Sequence, residues 1–180
     1  MSEKTKEEAE KRIKEELEEI NNNPDSIKGI SIKYLNENDA FKWQISLEGP
    51  EDTPYKGGVF ILIAEFPEDY PNHAPIVYFR TPIYHVNVNY QIKPDHLGHF
   101  DNVYLDWWQS NYKMNQVFKE LLALIKTPNE VSVYGYERGV ELRNSKILYE
   151  EKIKYFTKKF ASPKDGINLK EYEEDWNFNI

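Results

Sequence analysis

Apolar residues near the start of the chain recur at the spacing of an α-helix. They are Ala9, Ile13, Leu17 and Ile20. Intervals of four, four and three positions place them on one face, so the pattern predicts a helix over residues 4–21. Pro24 ends this helix, because proline cannot continue a helix and disfavours the helical conformation in the residue before it.

The apolar pattern then changes to a period of two, which is typical of β-strands. Residues 30–34 and 41–47 alternate apolar and polar side chains, and 59–66 is almost continuously apolar, as in a strand covered on both faces. Residues 76–79 form a fourth short apolar segment. Turn-forming residues separate these segments, so we predict a four-stranded antiparallel meander.

Helical spacing returns in the last part of the chain. Residues 111–126 carry a broad apolar face, and two further helices are predicted at 136–149 and 150–161. Residues 80–107 show no clear period and are predicted to form a long loop, which in a compact domain is usually functional or braced by partners. The predicted fold is α+β, with an N-terminal helix, the antiparallel meander and C-terminal helices.

Composition divides the chain into two parts. Residues 1–161 carry the predicted elements and form one domain, whereas the extension 162–180 mixes acidic and aromatic residues. Apolar side chains seldom stay exposed at a chain end, so Trp176, Phe178 and Ile180 are candidate partner-binding residues. Packing of these three side chains onto their own domain is the alternative.

The charge balance restricts the kinds of partner. The chain has 23 Lys and Arg against 31 Asp and Glu, a net charge of −8, so nucleic acid and anionic membranes are poor partners and proteins are expected. No apolar run approaches the roughly 20 residues that span a bilayer, so no transmembrane segment is predicted. The N-terminus is too acidic for a transit peptide. Cytoplasm is the default location, and an organellar assembly reached by an internal signal is compatible with the sequence.

The chain contains no cysteine, which excludes disulfides, cysteine zinc sites and any mechanism that needs a thiolate. Other metal ligands crowd the predicted loop. They are His96, His99, Asp95 and Asp101, which His85 or His73 could join. Zinc needs three or four converging ligands, and histidines on polar loops are usually solvated, so neither a metal nor a cofactor is predicted.

Five strings resemble segments of ubiquitin-conjugating enzymes, in the same order. They are GPEDTPYKGGVF at 49–60, FPEDYPNHAPIVYF at 66–79, IYHVN at 83–87, VYLDWW at 103–108 and PN at 128–129. IYHVN is similar to the family's Ile-Tyr-His-Pro-Asn, with Val86 in place of proline. The resemblance covers about residues 5–161 and implies the fold of that family. The glycine pair Gly57–Gly58 suits a tight turn, since glycine tolerates positive φ.

The resemblance places Tyr104 where the family has its catalytic cysteine. Thioester exchange needs a sulfur nucleophile, and a phenol with a pKa of about 10 is almost wholly protonated at neutral pH. Asn87 matches the family's oxyanion-stabilising asparagine, but asparagine also holds irregular loops through bonds to the backbone, and we favour that role. His85 is interpreted as structural. Tyr104, His85 and Asn87 therefore form a degenerate site without a catalytic residue.

The surroundings of this site also depart from the family. Tyr104 lies nineteen positions after His85, a longer separation than the family has, so residues 88–103 are predicted to form an enlarged loop. WQSNYKMNQVFKEL at 108–121 resembles the inactive ubiquitin-conjugating variants, which bind ubiquitin or a partner enzyme without a covalent bond. The predicted C-terminal helices are a departure from several of those variants.

Three functional hypotheses follow. The first is a catalytically inactive accessory or structural subunit of a larger protein assembly. The second is a variant that binds ubiquitin or a partner conjugating enzyme and regulates ubiquitination. The third, an enzyme with another nucleophile or a metal, has the least support. The resemblance implies that the charges on the first helix could dock an activating enzyme or a ligase. The default interpretation is a solvated face with pairs such as Glu8–Arg12.

Overall fold

The computed structural model describes residues 3–89, 98–100 and 102–161. The helices are α1 (Glu3–Asn22), α2 (Val103–Asp106), α3 (Met114–Lys126), α4 (Tyr136–Asn144) and α5 (Lys146–Phe160), with a 3₁₀ helix at Pro24–Ile27. The strands are β1 (Ile30–Asn36), β2 (Asp39–Glu48), β3 (Val59–Glu65), β4 (Ile76–Phe79), β5 (Val88–Asn89) and β6 (His99–Phe100). The predicted α+β architecture is confirmed.

The sheet has the order β1-β2-β3-β4-β6-β5, and its neighbouring strands are antiparallel. The predicted meander supplies the first four strands. Two short strands extend it inside the segment that the sequence predicted as a loop, with His99 beside Tyr78 and Phe100 beside Val88. Strands of two residues are too short to produce a detectable alternation, which is why the sequence did not predict them.

The core lies between one face of the sheet and the helices. The four predicted apolar residues of α1 are buried, and Trp43, Ile45 and Leu47 of β2 have no exposed surface. The five central residues of β3 are all buried, as expected of a strand covered on both faces. The C-terminal helix α5 adds Tyr149 and Ile153, each 2% exposed. No helix in the described ranges has the length and apolar character needed to cross a membrane.

Several predicted helix boundaries are wrong. The two C-terminal helices divide at Ser145, where ψ is 67°, rather than near residue 149. The Ser145 N–H donates to Glu141 O, and Ser145 O accepts from Tyr149 N–H, so one residue ends α4 and begins α5. Helix α3 begins at Met114 rather than residue 111, because a turn closed by the Tyr112 N–H and Gln109 O precedes it.

Two local predictions from the sequence are wrong. Gly57 has a positive φ of 82°, but Gly58 is not in that region. Gly58 is constrained by packing instead, since a Cβ there would lie 2.6 Å from Thr157 Cγ2. The predicted Glu8–Arg12 pair is also replaced: Arg12 Nε lies 2.6 Å from Glu16 Oε1.

The carboxylate of Glu16 joins α1 to the rest of the core. Its side chain is 2% exposed. Besides Arg12, it accepts hydrogen bonds from the Tyr70 hydroxyl at 2.8 Å and from the Met114 N–H at 2.8 Å. Burial and the neighbouring Glu16 carboxylate raise the pKa of the Tyr70 phenol. A buried charge is tolerated only with such partners, and here they also fix the start of α3.

Candidate functional site

His85 is completely buried in the segment between β4 and β5. Its Nδ1 accepts the Asn87 N–H at 3.0 Å, so the ring proton is on Nε2, which donates to Leu124 O at 3.1 Å. Burial lowers the pKa of this imidazole to about 4, because the charged form loses its hydration. His85 is therefore neutral at pH 7, and both ring nitrogens are engaged.

The side chain of Asn87 is also completely buried. Its Nδ2 donates to Asn129 O at 2.8 Å and to Ser132 O, and its Oδ1 accepts the Asn129 N–H at 2.8 Å. An amide group has two N–H hydrogens, and both are donated here. Asn87 therefore holds the segment that follows α3 and has no donor left to offer a reacting group.

The backbone around these two residues is attached to the C-terminal part of the chain. The Val86 N–H donates to the Tyr149 hydroxyl at 3.0 Å, and the Tyr134 N–H donates to Val86 O at 2.6 Å. Burial raises the pKa of the Tyr149 phenol to about 12. The Tyr55 hydroxyl donates to Tyr84 O at 2.7 Å. The segment 83–87 is thus held from several sides.

Tyr84 connects the same segment to both C-terminal helices. Its hydroxyl donates to Glu141 Oε2 of α4 at 2.6 Å, and Glu141 also pairs with Lys152 of α5. Burial and the Glu141 carboxylate raise the pKa of the Tyr84 phenol. Its ring packs against Phe156 at a centroid distance of 5.2 Å. The C-terminal helices are therefore integral to the geometry around His85.

Tyr104 is the second residue of the short helix α2. Asn102 caps this helix: its Oδ1 accepts the N–H groups of Tyr104 at 3.1 Å and Leu105 at 3.3 Å. The Asn102 Nδ2 donates to Val117 O at 2.9 Å, which attaches α2 to α3. Side-chain acceptance of the first helical N–H groups is the usual N-cap arrangement, so Asn102 sets the position of Tyr104.

The Tyr104 ring is half-buried in an aromatic group formed with the residues that precede α3. It meets the Tyr112 ring edge-on, with centroids 5.0 Å apart, and Tyr112 in turn meets Trp108 at 6.1 Å. Trp108 donates from Nε1 to Pro71 O at 2.8 Å. The Tyr104 ring is thus held by its aromatic neighbours. His85 and Asn87 have different partners: they are hydrogen-bonded to each other, to α3 and to the segment after α3.

The sequence analysis missed an exposed apolar surface beside Tyr104. Val103, the first residue of α2, is 52% exposed, and Trp107, the residue that follows α2, is 75% exposed. An open depression of about 380 Å³ adjoins Val103. It is lined by Val103, Tyr104, Gln116, Lys119 and Glu120.

The other predicted candidates are dispersed or lie outside the described residues. His99 is in β6, and His73 pairs with Asp69 at 2.5 Å. Asp95, His96 and Asp101 are outside the described ranges, as are Trp176, Phe178 and Ile180. Within those ranges no group of three or more His, Asp or Glu side chains could hold a metal ion.

Comparison with known proteins agrees with this architecture. The family model described as ubiquitin-conjugating enzyme matches residues 12–157. The chain is also similar to the probable ubiquitin-conjugating enzyme E2 31 of Arabidopsis thaliana. The two are 32% identical over 127 residues, which cover 71% of this chain and 79% of the plant protein. This chain therefore belongs to the ubiquitin-conjugating enzyme family, as a member without the catalytic cysteine.

Proposed function

We propose that the chain is a catalytically inactive member of its family that serves as a structural or accessory subunit of a larger protein assembly. The observation that carries the proposal is the absence of cysteine from all 180 residues. Transfer of ubiquitin through a thioester needs a sulfur atom that is both a good nucleophile and a good leaving group. This chain has no such atom to offer.

The hydrogen bonds of His85 and Asn87 support the same proposal. An oxyanion donor must be aimed at the position where negative charge develops. The Asn87 amide hydrogens are donated to Asn129 and Ser132 instead, and the neutral His85 ring is bonded through both nitrogens. These groups hold the backbone, and neither is left available for acid–base work.

Tyr104 occupies the position that the sequence resemblance assigns to the nucleophile. A phenol lacks the sulfur atom that thioester exchange needs as nucleophile and leaving group. The packing of its ring against Tyr112 supports a structural role. The proposed function therefore gives Tyr104 the role of a packing residue in a former active site.

Two surfaces are proposed to contact protein partners. The first is Trp107 with Val103, since exposed tryptophans are enriched among residues that dominate binding energy. The second is the extension 162–180, through Trp176, Phe178 and Ile180. Proteins are the expected partners, because the net charge of −8 disfavours nucleic acid and anionic membranes. Residues 1–161 would form the domain that carries the first surface, and 162–180 would extend from it, in the cytoplasm by default or in an organelle.

Affinity purification of the tagged native protein, with mass spectrometry of stoichiometric partners, tests this proposal. We expect a fixed set of proteins, in a complex that migrates far above the 21.4 kDa chain in size-exclusion chromatography. Trp107→Ala should be compared with the triple change Trp176→Ala, Phe178→Ala and Ile180→Ala, to identify which surface retains the partners. Migration of the native protein as a free monomer would contradict the proposal.

A gel assay tests the loss of activity separately. Incubation with activating enzyme, ATP and ubiquitin should leave the chain unmodified, because it has no thiol. A cysteine-containing conjugating enzyme in the same reaction serves as the positive control. A stable adduct at Tyr104 or at a lysine would overturn the assignment as an inactive member.

A second candidate function is non-covalent binding of ubiquitin or of a partner conjugating enzyme. Family membership and the resemblance of residues 108–121 to inactive variants favour it, and the exposed Trp107 side chain gives it a contact surface. Titration of the labelled chain with ubiquitin, followed by NMR, distinguishes the candidates. Localised shifts that Trp107→Ala removes would favour the regulatory variant, and no shifts at millimolar ubiquitin would exclude its ubiquitin-binding form.

A further inference from the structure

Helix α5 exposes apolar side chains on the face opposite to the core, which we call its outer face. Tyr149 and Ile153 are buried, whereas Ile147 is 76% exposed, Leu148 is 43% exposed and Tyr155 is 60% exposed. Leu148 and Tyr155 are seven positions apart, or about two helical turns, so they lie on the same side of the helix, with Ile147 beside Leu148. Large apolar side chains gathered on one exposed face are typical of a contact surface.

The outer face also carries positive charge towards the C-terminal end of the helix. Lys154, Lys158 and Lys159 are exposed there, and Glu151 is the exposed acid of α5. Neither Lys154 nor Lys158 forms an ion pair with another residue in the described ranges. They are one turn apart, and like charges at this spacing repel each other. An acidic contact would therefore stabilise this end of the face.

The extension 162–180 has the complementary composition. It contains five acidic residues and two lysines, whereas α5 contains five lysines and two glutamates. Four of the five acids lie in the segment 171–175, directly before Trp176. Counted from Ala161, the extension thus has acidic residues first and apolar residues second. Counted back from Ala161, the outer face of α5 has its lysines first and the apolar residues 147–148 second, so a chain that reverses direction pairs like with like in polarity and opposite in charge.

The extension starts beside α5 and is long enough to follow it. The Val59 N–H donates to Ala161 O at 2.8 Å, which fixes the point where the extension leaves the domain. Ile147 lies 14 positions before Ala161, or about 21 Å along the helix. Trp176 lies 15 positions after Ala161, and a flexible chain of that length has an average span of about 20 Å. A proline and a glycine within residues 162–166 favour a turn where the direction has to reverse.

We propose that, in the free chain, residues 162–180 fold back along the outer face of α5. The acidic segment 171–175 would contact the lysines of this face, and Trp176 would pack on residues 147–148. Because the extension is tethered to α5, its local concentration is high and weak contacts suffice. The inference rests on the proposed function of the extension as a partner-binding surface: contact with α5 would keep that surface covered until a partner replaces the helix.

The absence of cysteine allows a site-specific test on the full-length chain. Asn177→Cys introduces a single thiol, which can carry a nitroxide spin label beside Trp176. In the ¹H–¹⁵N NMR spectrum at low salt, we expect the label to broaden the amide signals of residues 147–158 selectively, compared with those of β1. Sodium chloride should reduce the effect, since it screens exposed charges. Equal broadening of all exposed amides would overturn the contact.

Charge reversal in the spin-labelled chain tests the pairing. Lys154→Glu with Lys158→Glu should lower the ratio of docked to free extension by about fivefold or more, because attraction becomes repulsion. Adding Glu173→Lys with Glu174→Lys should restore the broadening of residues 147–158, since the charges are then exchanged between the two segments. Failure of this second pair to restore the broadening would show that the two segments are not paired.

The matched control is Lys28→Glu with Lys33→Glu, which makes the same charge change at exposed lysines before and within β1. The docked-to-free ratio should stay within about twofold of the unmodified value, because distant surface charges are screened by salt. A loss as large as that of the α5 variant would show that net charge, rather than the outer face, is responsible, and would overturn the proposal.

A mixed sample distinguishes contact within one chain from contact between two copies. The spin-labelled chain without ¹⁵N is added to the ¹⁵N-labelled unmodified chain, and no broadening is expected. Broadening of residues 147–158 in this mixture would place the extension on a second copy and overturn the proposal. These measurements use the purified chain without partners, so their failure is distinct from a failure of affinity purification to find partners.

Discussion

The Asn87 side chain forms two hydrogen bonds with the backbone of Asn129, which is 42 positions away. It donates to Asn129 O and accepts from Asn129 N, both at 2.8 Å. The paired bonds fix the segment after α3 against the segment 83–87. The resemblance assigns the matching asparagine of the family to oxyanion stabilisation, whereas the Asn87 amide is bonded to the backbone of its own chain.

Asn87→Ala should lower the free energy of unfolding by about 2–3 kcal/mol, since three hydrogen bonds at a buried side chain are lost. Asn87→Asp should have at least as large an effect, because it places a carboxylate against the carbonyl oxygens of Asn129 and Ser132. Urea unfolding measures both. The control is the exposed Asn111→Ala, which should change stability by less than about 0.5 kcal/mol. Equal effects of Asn87→Ala and Asn111→Ala would show that the bonds to Asn129 are not structural.

The stability of the chain should depend on pH through His85. Its pKa is about 4 in the folded chain, against about 6.5 in the unfolded chain. Between these values the unfolded state binds more protons, so stability falls as the pH is lowered from about 6.5 to about 4 and this contribution is complete above about 6.5. The loss attributable to His85 is about 3 kcal/mol.

The measurement for His85 is the NMR shift of its ring carbons as the pH is lowered, with urea unfolding at each pH. We expect the His85 resonances to stay unchanged from pH 7.5 to about 5.5, since burial disfavours the charged form. If His85 of the folded protein is protonated with a midpoint above about pH 5.5, the prediction is wrong. The tautomer provides a second check, because the proton should be found on Nε2.

Glu16→Ala should destabilise the protein by about 3–5 kcal/mol, because it leaves Arg12 without its buried partner and removes the acceptor of the Met114 N–H. Glu15→Ala is the matched control, one position away on the same helix. Glu15 is 59% exposed and its Oε1 lies 3.8 Å from Lys11 Nζ, so its loss should change stability by less than about 1 kcal/mol. Chemical denaturation of the two variants compares them directly, and similar losses would contradict the role given to Glu16.

Tyr104→Cys should not restore transfer of ubiquitin to lysine. The variant supplies a thiol, but the Asn87 amide hydrogens are still donated to Asn129 and Ser132. The measurement is single-turnover discharge of any ubiquitin thioester formed on the variant, compared with the ubiquitin thioester of a small thiol. Discharge to lysine faster than this reference by about tenfold or more would show that a working oxyanion site persists.

The helix and strand elements were predicted where the apolar period was long enough to detect. The face of α1 and the continuous apolar run of β3 were both read directly from spacing. The prediction failed at Ser145, where helical spacing continues across a break, and at β5 and β6, which are too short to have a period. Glu16 was also missed, because a buried glutamate within a charged helix is indistinguishable from its solvated neighbours until its partners are known.

The candidate site was named from the sequence, but its hydrogen bonds were not. The strings around His85 and Tyr104 identified the segments to examine, since they resembled those of a known family. The partners Leu124, Asn129 and Tyr149 are remote in sequence, and no local pattern indicates them. The exposure of Trp107 likewise depends on how α2 is capped by Asn102 and attached to α3.

By itself the sequence determined the absence of a thiol, the family resemblance and the periodic elements, because these depend on residue identity and on spacing along the chain. Only the tertiary structure decided that both Asn87 amide hydrogens are donated and that His85 is neutral. The physical reason is that hydrogen bonding, desolvation and the sum of nearby charges depend on distances between segments that are far apart in sequence.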